Sequence, residues 1–365
     1  MSEYIDVIKK TDSFVIYGAG VMGRNVLKVL TSSVYGKHIE AFIVKDIATN
    51  PEDIDGVPVL ALSKAARYSD FVVLVALRES YCSEAIESLR ENGFNKIIPV
   101  AFDSDLWTEL RWKWMNNTLL KSCSRLENLD DSDHQDIKKT LHIYVVHSEK
   151  DKKLNETVED REYEIAIQVG SSSATDILYE IVDSKGDNIS SKNRQYCELT
   201  GLYWAYKHDF SDYIGLSHYR RRFVLTEGQV NSIKSGKYDV ILTVPIFNID
   251  TVRTHYERDH NADDWKTIYD VIGRLSPEYL DAFKEMENGQ YYFAYNMFIA
   301  KRDVFIDYCD WLFPILFTCE DIIGVKDDTY QNRYVGFLAE RMMTVYLKKH
   351  PELNIVIADK HFIGN

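Results

Sequence analysis

Phe14-Val15-Ile16-Tyr17 runs straight into Gly18-Ala19-Gly20-Val21-Met22-Gly23, and the apolar side chains that follow, as far as Leu30, recur at helical spacing. This is strand, glycine turn and helix, and it sets the class of the fold. In a G-x-G-x-x-G turn the first glycine permits the tight reversal and the second lets an anion approach the backbone. The third lets helix pack on strand, while the helix N-terminus offers unpaired N–H groups. Outward from this turn, Ala41-Phe42-Ile43-Val44 is a second strand ending at Lys45-Asp46, with Asp46 where such folds hold a ribose hydroxyl. Apolar strands at 57–60, 71–77 and 96–99 follow with helical stretches between them. That alternation predicts an α/β fold, a Rossmann-like parallel sheet with crossover helices.

The pattern stops near residue 102, about half the length of a two-lobed dinucleotide domain. Gly18, Gly20, Gly23 and Asp46 are therefore candidates for a dinucleotide such as NAD, for a nucleotide-sugar, or for a purely structural or oligomerising role. The order GAGVMG, FIVKD, IDGVPVL and a valine-rich strand resembles the small sugar-nucleotide-binding N-terminal domains found beside bacterial sugar-modifying enzymes.

At 365 residues the chain is long enough for two domains. Hydrophobic residues make up 45% and charged residues 27%, values of a globular protein with a full core rather than of a disordered chain. With 43 Lys+Arg against 57 Asp+Glu the net charge is -14, which repels a phosphate backbone unless a local basic patch overrides it and argues against nucleic acid as a partner. The five cysteines lack a C-x-x-C pair, so a reducing cytoplasm fits better than a secreted disulfide framework. The N-terminal stretch lacks a signal-peptide core, and the longest apolar runs fall short of the ~20 residues of a membrane span.

Residues 103–140 break the alternation. Leu106, Trp107, Leu110, Trp112 and Trp114 fall on an expected amphipathic helix with Arg111 and Lys113 interleaved. The helix either packs between domains or lies on an anionic membrane surface, which would put the protein at the inner face of the membrane. The acidic run 127–136 reads as a linker. The expected organisation is thus 1–102 as the Rossmann-like domain, 103–140 as a helical linker, and 141–365 as a second α/β domain.

The second domain restarts with the strand His142-Ile143-Tyr144-Val145-Val146-His147 and continues through Glu164-Ile165-Ala166-Ile167-Gln168-Val169-Gly170. A turn-rich loop at 186–193 leads into one helix over 196–206. That helix delivers the chain to Tyr213-Ile214-Gly215-Leu216-Ser217-His218-Tyr219-Arg220-Arg221-Arg222-Phe223, an apolar strand that ends in a burst of base and ring. Ligands of α/β sheets bind at the carboxyl ends of strands, and the guanidinium fork suits paired phosphate oxygens. A diphosphate is the expected occupant. Surface ion pairs with the abundant acids are the plain alternative.

The blocks I-Q-V-G, D-N-I-S-x-K-N-x-x-Y-C-E-L-T-G-L-Y-W-A, Y-I-G-L-S-H-Y-R-R-R-F, Y-N-M-F-I, Y-C-D-W-L-F-P-I-L-F and G-F-L-A-E-R resemble a bacterial family of capsular and exopolysaccharide glycosyltransferases long catalogued as a domain of unknown function. The resemblance spans about 141–350. It implies a GT-A-like fold, a UDP-sugar donor, galactofuranosyl transfer as one candidate activity, and a carbohydrate acceptor on a lipid carrier. GT-A enzymes usually end the corresponding strand with Asp-x-Asp, which holds a divalent ion against the diphosphate. Here that place reads His218-Tyr219-Arg220, so Arg220 and Arg221, with His218 as a third candidate, are expected to neutralise the leaving group without metal.

By the same resemblance, His147, Gln168 and Gly170 are candidates for the base and ribose of the donor or simply end their strands, and Asn296 is a candidate for the donor sugar. The polar loop residues Asp187, Asn188, Lys192 and Asn193 are further candidates for donor contact, with an N-cap role for Asn193 as the alternative. Tyr219 belongs with the basic cluster. A general base for the acceptor hydroxyl is expected among acids near the reacting carbon. Glu340 is the first candidate, because its apolar helix neighbours imply burial and a raised pKa. His260 and Asp264 are the alternatives. Two rival readings stay open, an NAD-dependent sugar-nucleotide oxidoreductase and a non-catalytic nucleotide-sugar scaffold, and so does assembly into a homo-oligomer.

Overall fold

The computed structural model describes residues 2–120, 123–129, 138–158 and 161–364. Most of the acidic stretch read as a linker lies outside them. The chain divides into two compact units, residues 1–122 with 247–249, and residues 123–246 with 250–365.

In the first unit the strands are β1 (Ser13–Tyr17), β2 (His38–Val44), β3 (Asp53–Ile54), β4 (Val57–Ala61), β5 (Val72–Val75) and β6 (Ile97–Pro99). They form one sheet in the order β3-β4-β2-β1-β5-β6. All neighbours are parallel except the edge strand β3. Numbered among themselves, the five parallel strands run 3-2-1-4-5, the order of five of the six strands of the doubly wound fold. Strands buried on both faces need continuous apolar side chains, which is why β1 and β5 read as unbroken hydrophobic runs. The helices are α1 (Ser2–Lys10), α2 (Val21–Leu30), α3 (Glu79–Glu91) and α4 (Asp105–Thr118).

The glycine turn joins β1 to α2 as expected from its spacing. Gly18 lies at φ +108°, and a Cβ on Gly23 would sit 1.9 Å from the Gly18 carbonyl oxygen, so the third glycine is imposed by helix-on-strand contact. Gly20 caps α2 and has open space around its Cα. Helix α4 belongs to this unit, where the Tyr35 hydroxyl donates to the Leu110 carbonyl and Trp114 packs edge-on against Phe247. Trp107, Trp112, Trp114 and Arg111 are all buried. These tryptophans are therefore core, and that burial leaves no exposed tryptophan face on α4. Among the described residues no helix is long and apolar enough to cross a membrane.

The second unit is built on a mixed sheet of β7 (Ser124–Arg125), β8 (Leu141–His147), β9 (Glu164–Gln168), β10 (Ile181–Val182), β11 (Tyr213–His218), β12 (Arg221–Val224), β13 (Val240–Thr243), β16 (Phe298–Lys301) and β17 (Ile355–Phe362). Two short strands, β14 (Ile246–Phe247) and β15 (Tyr291–Tyr292), stand outside it. Strands β10, β9, β8 and β11 are mutually parallel. Strand β16 then pairs antiparallel with both β11 and β13, and β17 joins β13 in parallel and β12 antiparallel. The sheet is covered by α5 (Asn193–Tyr196), α6 (Leu199–His208), α7 (Glu227–Lys234), α8 (Val252–Asp259), α9 (Ala262–Leu275), α10 (Leu280–Glu287), α11 (Arg302–Ile323) and α12 (Tyr334–Lys349).

Two features depart from the sequence reading. The single helix expected over 196–206 is two helices, broken at Cys197, whose φ is +53°. Helix α11 runs unbroken through Pro314, because the tightly buried row Tyr308, Cys309, Leu312, Ile315, Leu316 and Cys319 outweighs the one missing N–H.

Candidate active site

Strand β11 reverses into β12 through a two-residue turn, Tyr219-Arg220, with His218 paired to Arg221. Strand alternation then sends consecutive arginines to opposite faces. Arg221 stacks over Tyr295 at 4.4 Å, and Arg222 instead bonds Glu164 at 3.1 Å, where both side chains are nearly buried. The basic cluster is thus divided by geometry. Arg220 and Arg221 line a cleft, while Arg222 ties β12 to β9.

That cleft lies at the carboxyl ends of β8, β9 and β11, where α/β sheets bind ligands. It has two contiguous parts. The larger, about 920 Å³, is lined by residues including His147, Lys150, Asn193, Arg194, Lys326 and Arg333. The smaller, about 240 Å³, is lined by residues including Arg220, Arg221, Arg333, Tyr295, Phe337 and Glu340. Cys197, Glu198, His218, Tyr219 and Arg333 border both. The larger volume is near the top of the ~300–1,000 Å³ range of small-molecule sites.

Two carboxyls face the smaller chamber. Glu198 accepts from Asn296 Nδ2 at 2.7 Å, and Glu340 accepts from Arg341 Nη1 at 2.8 Å. Burial raises both above the usual carboxylate range. The Asn296 hydrogen bond partly offsets this at Glu198, and at Glu340 the Arg341 charge does so. His218 is pushed down to about 4 by burial, so it is neutral at neutral pH and adds a hydrogen bond rather than charge. Its Nε2–H donates to the Tyr295 carbonyl at 2.6 Å. Cys197 is pushed up to about 11, again by burial, and its sulfur accepts from Arg333 Nε at 3.2 Å.

Of the residues expected at the site, His147, Asn193, His218, Tyr219, Arg220, Arg221 and Glu340 line the cleft. His147 is stacked on Tyr179, whose hydroxyl meets its Nδ1 at 2.9 Å. Several residues expected at the donor lie off the lining of the cleft and bond elsewhere. Gln168 is fully buried, giving its amide to the Asp176 carbonyl and taking the Leu178 N–H. Gly170 donates to Asp183, the buried acid that also binds Ser171 and Ser190 and so organises the loop. Asn188 bonds within its own turn and Asp187 accepts from Tyr203, while Lys192 is held by Glu320 at 2.7 Å. These polar groups are spent within the loop or on tying it to α6 and α11, and none of them lines the cleft.

The base candidates divide as well. Asp264 is buried against Lys326 Nζ at 2.6 Å, and that lysine, not the acid, reaches the cleft. His260 is stacked on Phe337 at 4.1 Å and pushed down to about 4 by burial, and it is not among the residues that line the cleft. Asn296 lies behind Glu198 and holds it. Sequence reasoning missed Glu198, Arg333 and Lys326. For Glu198 a signal existed, an acid set among Tyr196, Leu199 and Leu202 in the block C-E-L-T-G, apolar neighbours that imply burial. In the first unit Asp46 is exposed at the end of β2 and accepts from the Ala48 N–H.

Residues 142–351 match the profile of a family described as Domain of unknown function (DUF4422). Among solved structures the chain is similar to one described as the apo form of the WbbM bifunctional glycosyltransferase, with 26% identity and a TM-score of 0.55 over 62% of this chain and 46% of that one. The chain therefore spans under half the length of that structure. A Rex-family repressor, RSP, gives 14% identity over 32% of this chain and 66% of its own at a TM-score of 0.23, too low to carry an argument. No curated protein matches the chain.

Proposed function

Because the chain belongs to the DUF4422 family and shares its α/β fold with a bifunctional glycosyltransferase, we propose that it is a glycosyltransferase whose second unit transfers a sugar from a nucleoside diphosphate, UDP in the first instance, to a carbohydrate hydroxyl. The observation that carries this reading is the meeting of Arg220, Arg221 and Arg333 with two half-buried carboxyls, Glu198 and Glu340, in one chamber at the sheet's carboxyl edge. Transfer needs both kinds of group. Cations must stabilise the charge that develops on the departing diphosphate, and a carboxylate must accept the proton of the attacking hydroxyl. The larger part of the cleft, with Lys150, Arg194 and Lys326, suits the nucleoside and its phosphates.

Galactofuranose as the transferred unit, a lipid-linked acceptor and a role in capsule or exopolysaccharide assembly are the finer reading, supported by the motif resemblance. Such an acceptor would bring the protein to the inner face of the membrane. The glycine turn of the first unit, Gly18, Gly20 and Gly23, would there serve an accessory nucleotide-sugar. The test is a screen of UDP-sugars for UDP release with carbohydrate acceptors. Arg220→Ala is expected to lower turnover by about 10²–10³-fold, the scale of losing one transition-state donor. A full chain that binds no nucleoside diphosphate, or an Arg220→Ala chain with undiminished turnover, would refute the reading.

A further inference from the structure

Left-handed backbone is costly for residues other than glycine, and it persists where the surrounding structure requires it, often at functional sites. Four non-glycine residues among those described have positive φ: Asp55, Cys197, Tyr295 and Asn296. Three of the four converge on one side chain. Cys197, at φ +53°, breaks the helix just before Glu198 and turns that acid into the cleft. Tyr295 and Asn296, at φ +69° and +51°, bring an amide onto Glu198 from a segment 98 residues away.

We propose that Glu198 is the catalytic base of the transfer, and that Glu340, across the same chamber, shapes the charge around it. The assignment rests on the transferase reading above. Geometry separates the two acids, for Glu198 is held by a neutral amide and Glu340 by the buried Arg341 guanidinium. A carboxylate held by an amide keeps more of its basicity than one paired with a fixed cation. In the reaction the acceptor hydroxyl oxygen bonds to the anomeric carbon as the bond from that carbon to the diphosphate oxygen breaks. The electron pair stays on the diphosphate, beside Arg220 and Arg221, and the hydroxyl proton passes to Glu198.

The charged and titratable groups facing Glu198 are Arg221 of β12, Arg333 ahead of α12, Glu340 of α12 and the Cys197 thiol. His218 of β11 faces Glu340 and in turn feels Lys360 of β17. The Asn296 hydrogen bond favours the ionised form of Glu198. Removing it therefore raises the pKa at which the base is lost and moves the acid limb of kcat to higher pH.

The experiment uses the full chain with the UDP-sugar and acceptor found in the screen above. Glu198→Gln is expected to lower kcat by about 10²–10⁴-fold, the usual contribution of a general base, and to abolish the acid limb while UDP affinity is retained. Asn296→Ala is expected to keep measurable turnover with its acid limb displaced upward. Glu340→Gln is expected to retain the limb. If Glu198→Gln keeps kcat and limb, if the limb vanishes in Glu340→Gln instead, or if Asn296→Ala leaves it unmoved, the assignment falls while the transferase reading stands. If the wild-type chain turns over no UDP-sugar, both fall.

Discussion

Arg220, Arg221 and Arg222 are adjacent in sequence and unlike in role. The period of two along a strand puts Arg221 into the cleft and Arg222 onto Glu164, whose side chain is 4% exposed. Truncating one partner of a buried pair leaves the other charge uncompensated, at about 3–5 kcal/mol. Arg161 stands 3.8 Å from the same carboxylate, so Arg222→Ala is expected to cost about 3 kcal/mol, near the lower end of that range. Chemical denaturation measures this, and turnover of the folded variant should match the wild type. A loss of turnover without a loss of stability would return Arg222 to the cleft. The run of bases was legible as a site. Which of its members serves the site was not, because that depends on the face a hairpin turn gives each one.

At the level of elements, the cleft is walled by segments that other elements pin down. Residues 324–333, between α11 and α12, contribute Lys326 and Arg333 to it. Lys326 is fixed by Asp264 on α9. The Gly324 carbonyl accepts from the Tyr334 hydroxyl and the Gln195 amide, and the Lys326 N–H donates to Asn332. Asp264→Ala would leave Lys326 unpaired, and its side chain is only 16% exposed. The expected result is a loss of about 3 kcal/mol with weaker UDP binding, read by thermal unfolding and by titration. Unchanged UDP affinity would mean that the wall does not need this tie. The polar composition of 318–333 suggests one long loop, yet α11 continues to Ile323. The two-helix break at Cys197 was likewise illegible, since Y-C-E-L-T-G-L-Y-W-A has unbroken helical spacing, while the contacts Cys197 makes in the fold, such as the hydrogen bond from Arg333, come from a segment over a hundred residues away.

At the scale of the whole molecule, a chain of net charge -14 gathers six lysine and arginine side chains, Lys150, Arg194, Arg220, Arg221, Lys326 and Arg333, along one cleft. Excess acid elsewhere discourages polyanions, whereas the cleft offers a compact diphosphate a local positive field. If arginines replace a metal at the departing diphosphate, a chelator should leave the rate of transfer within about twofold. Complete loss of activity, restored by manganese, would instead assign the diphosphate to a bound ion.

Local physics made the α/β class legible from sequence alone. Apolar runs of strand length, helical periodicity between them and a glycine turn act over a few residues, and each leaves its mark in adjacent letters. The tertiary structure alone decided the working set of the cleft. Glu198, Asn296, Arg221 and Arg333 come from separate parts of the second unit, and their burial and pairing arise only when the sheet brings their elements to one edge. A carboxylate's basicity depends on what surrounds it in space, and that neighbourhood is set by contacts between residues about a hundred positions apart.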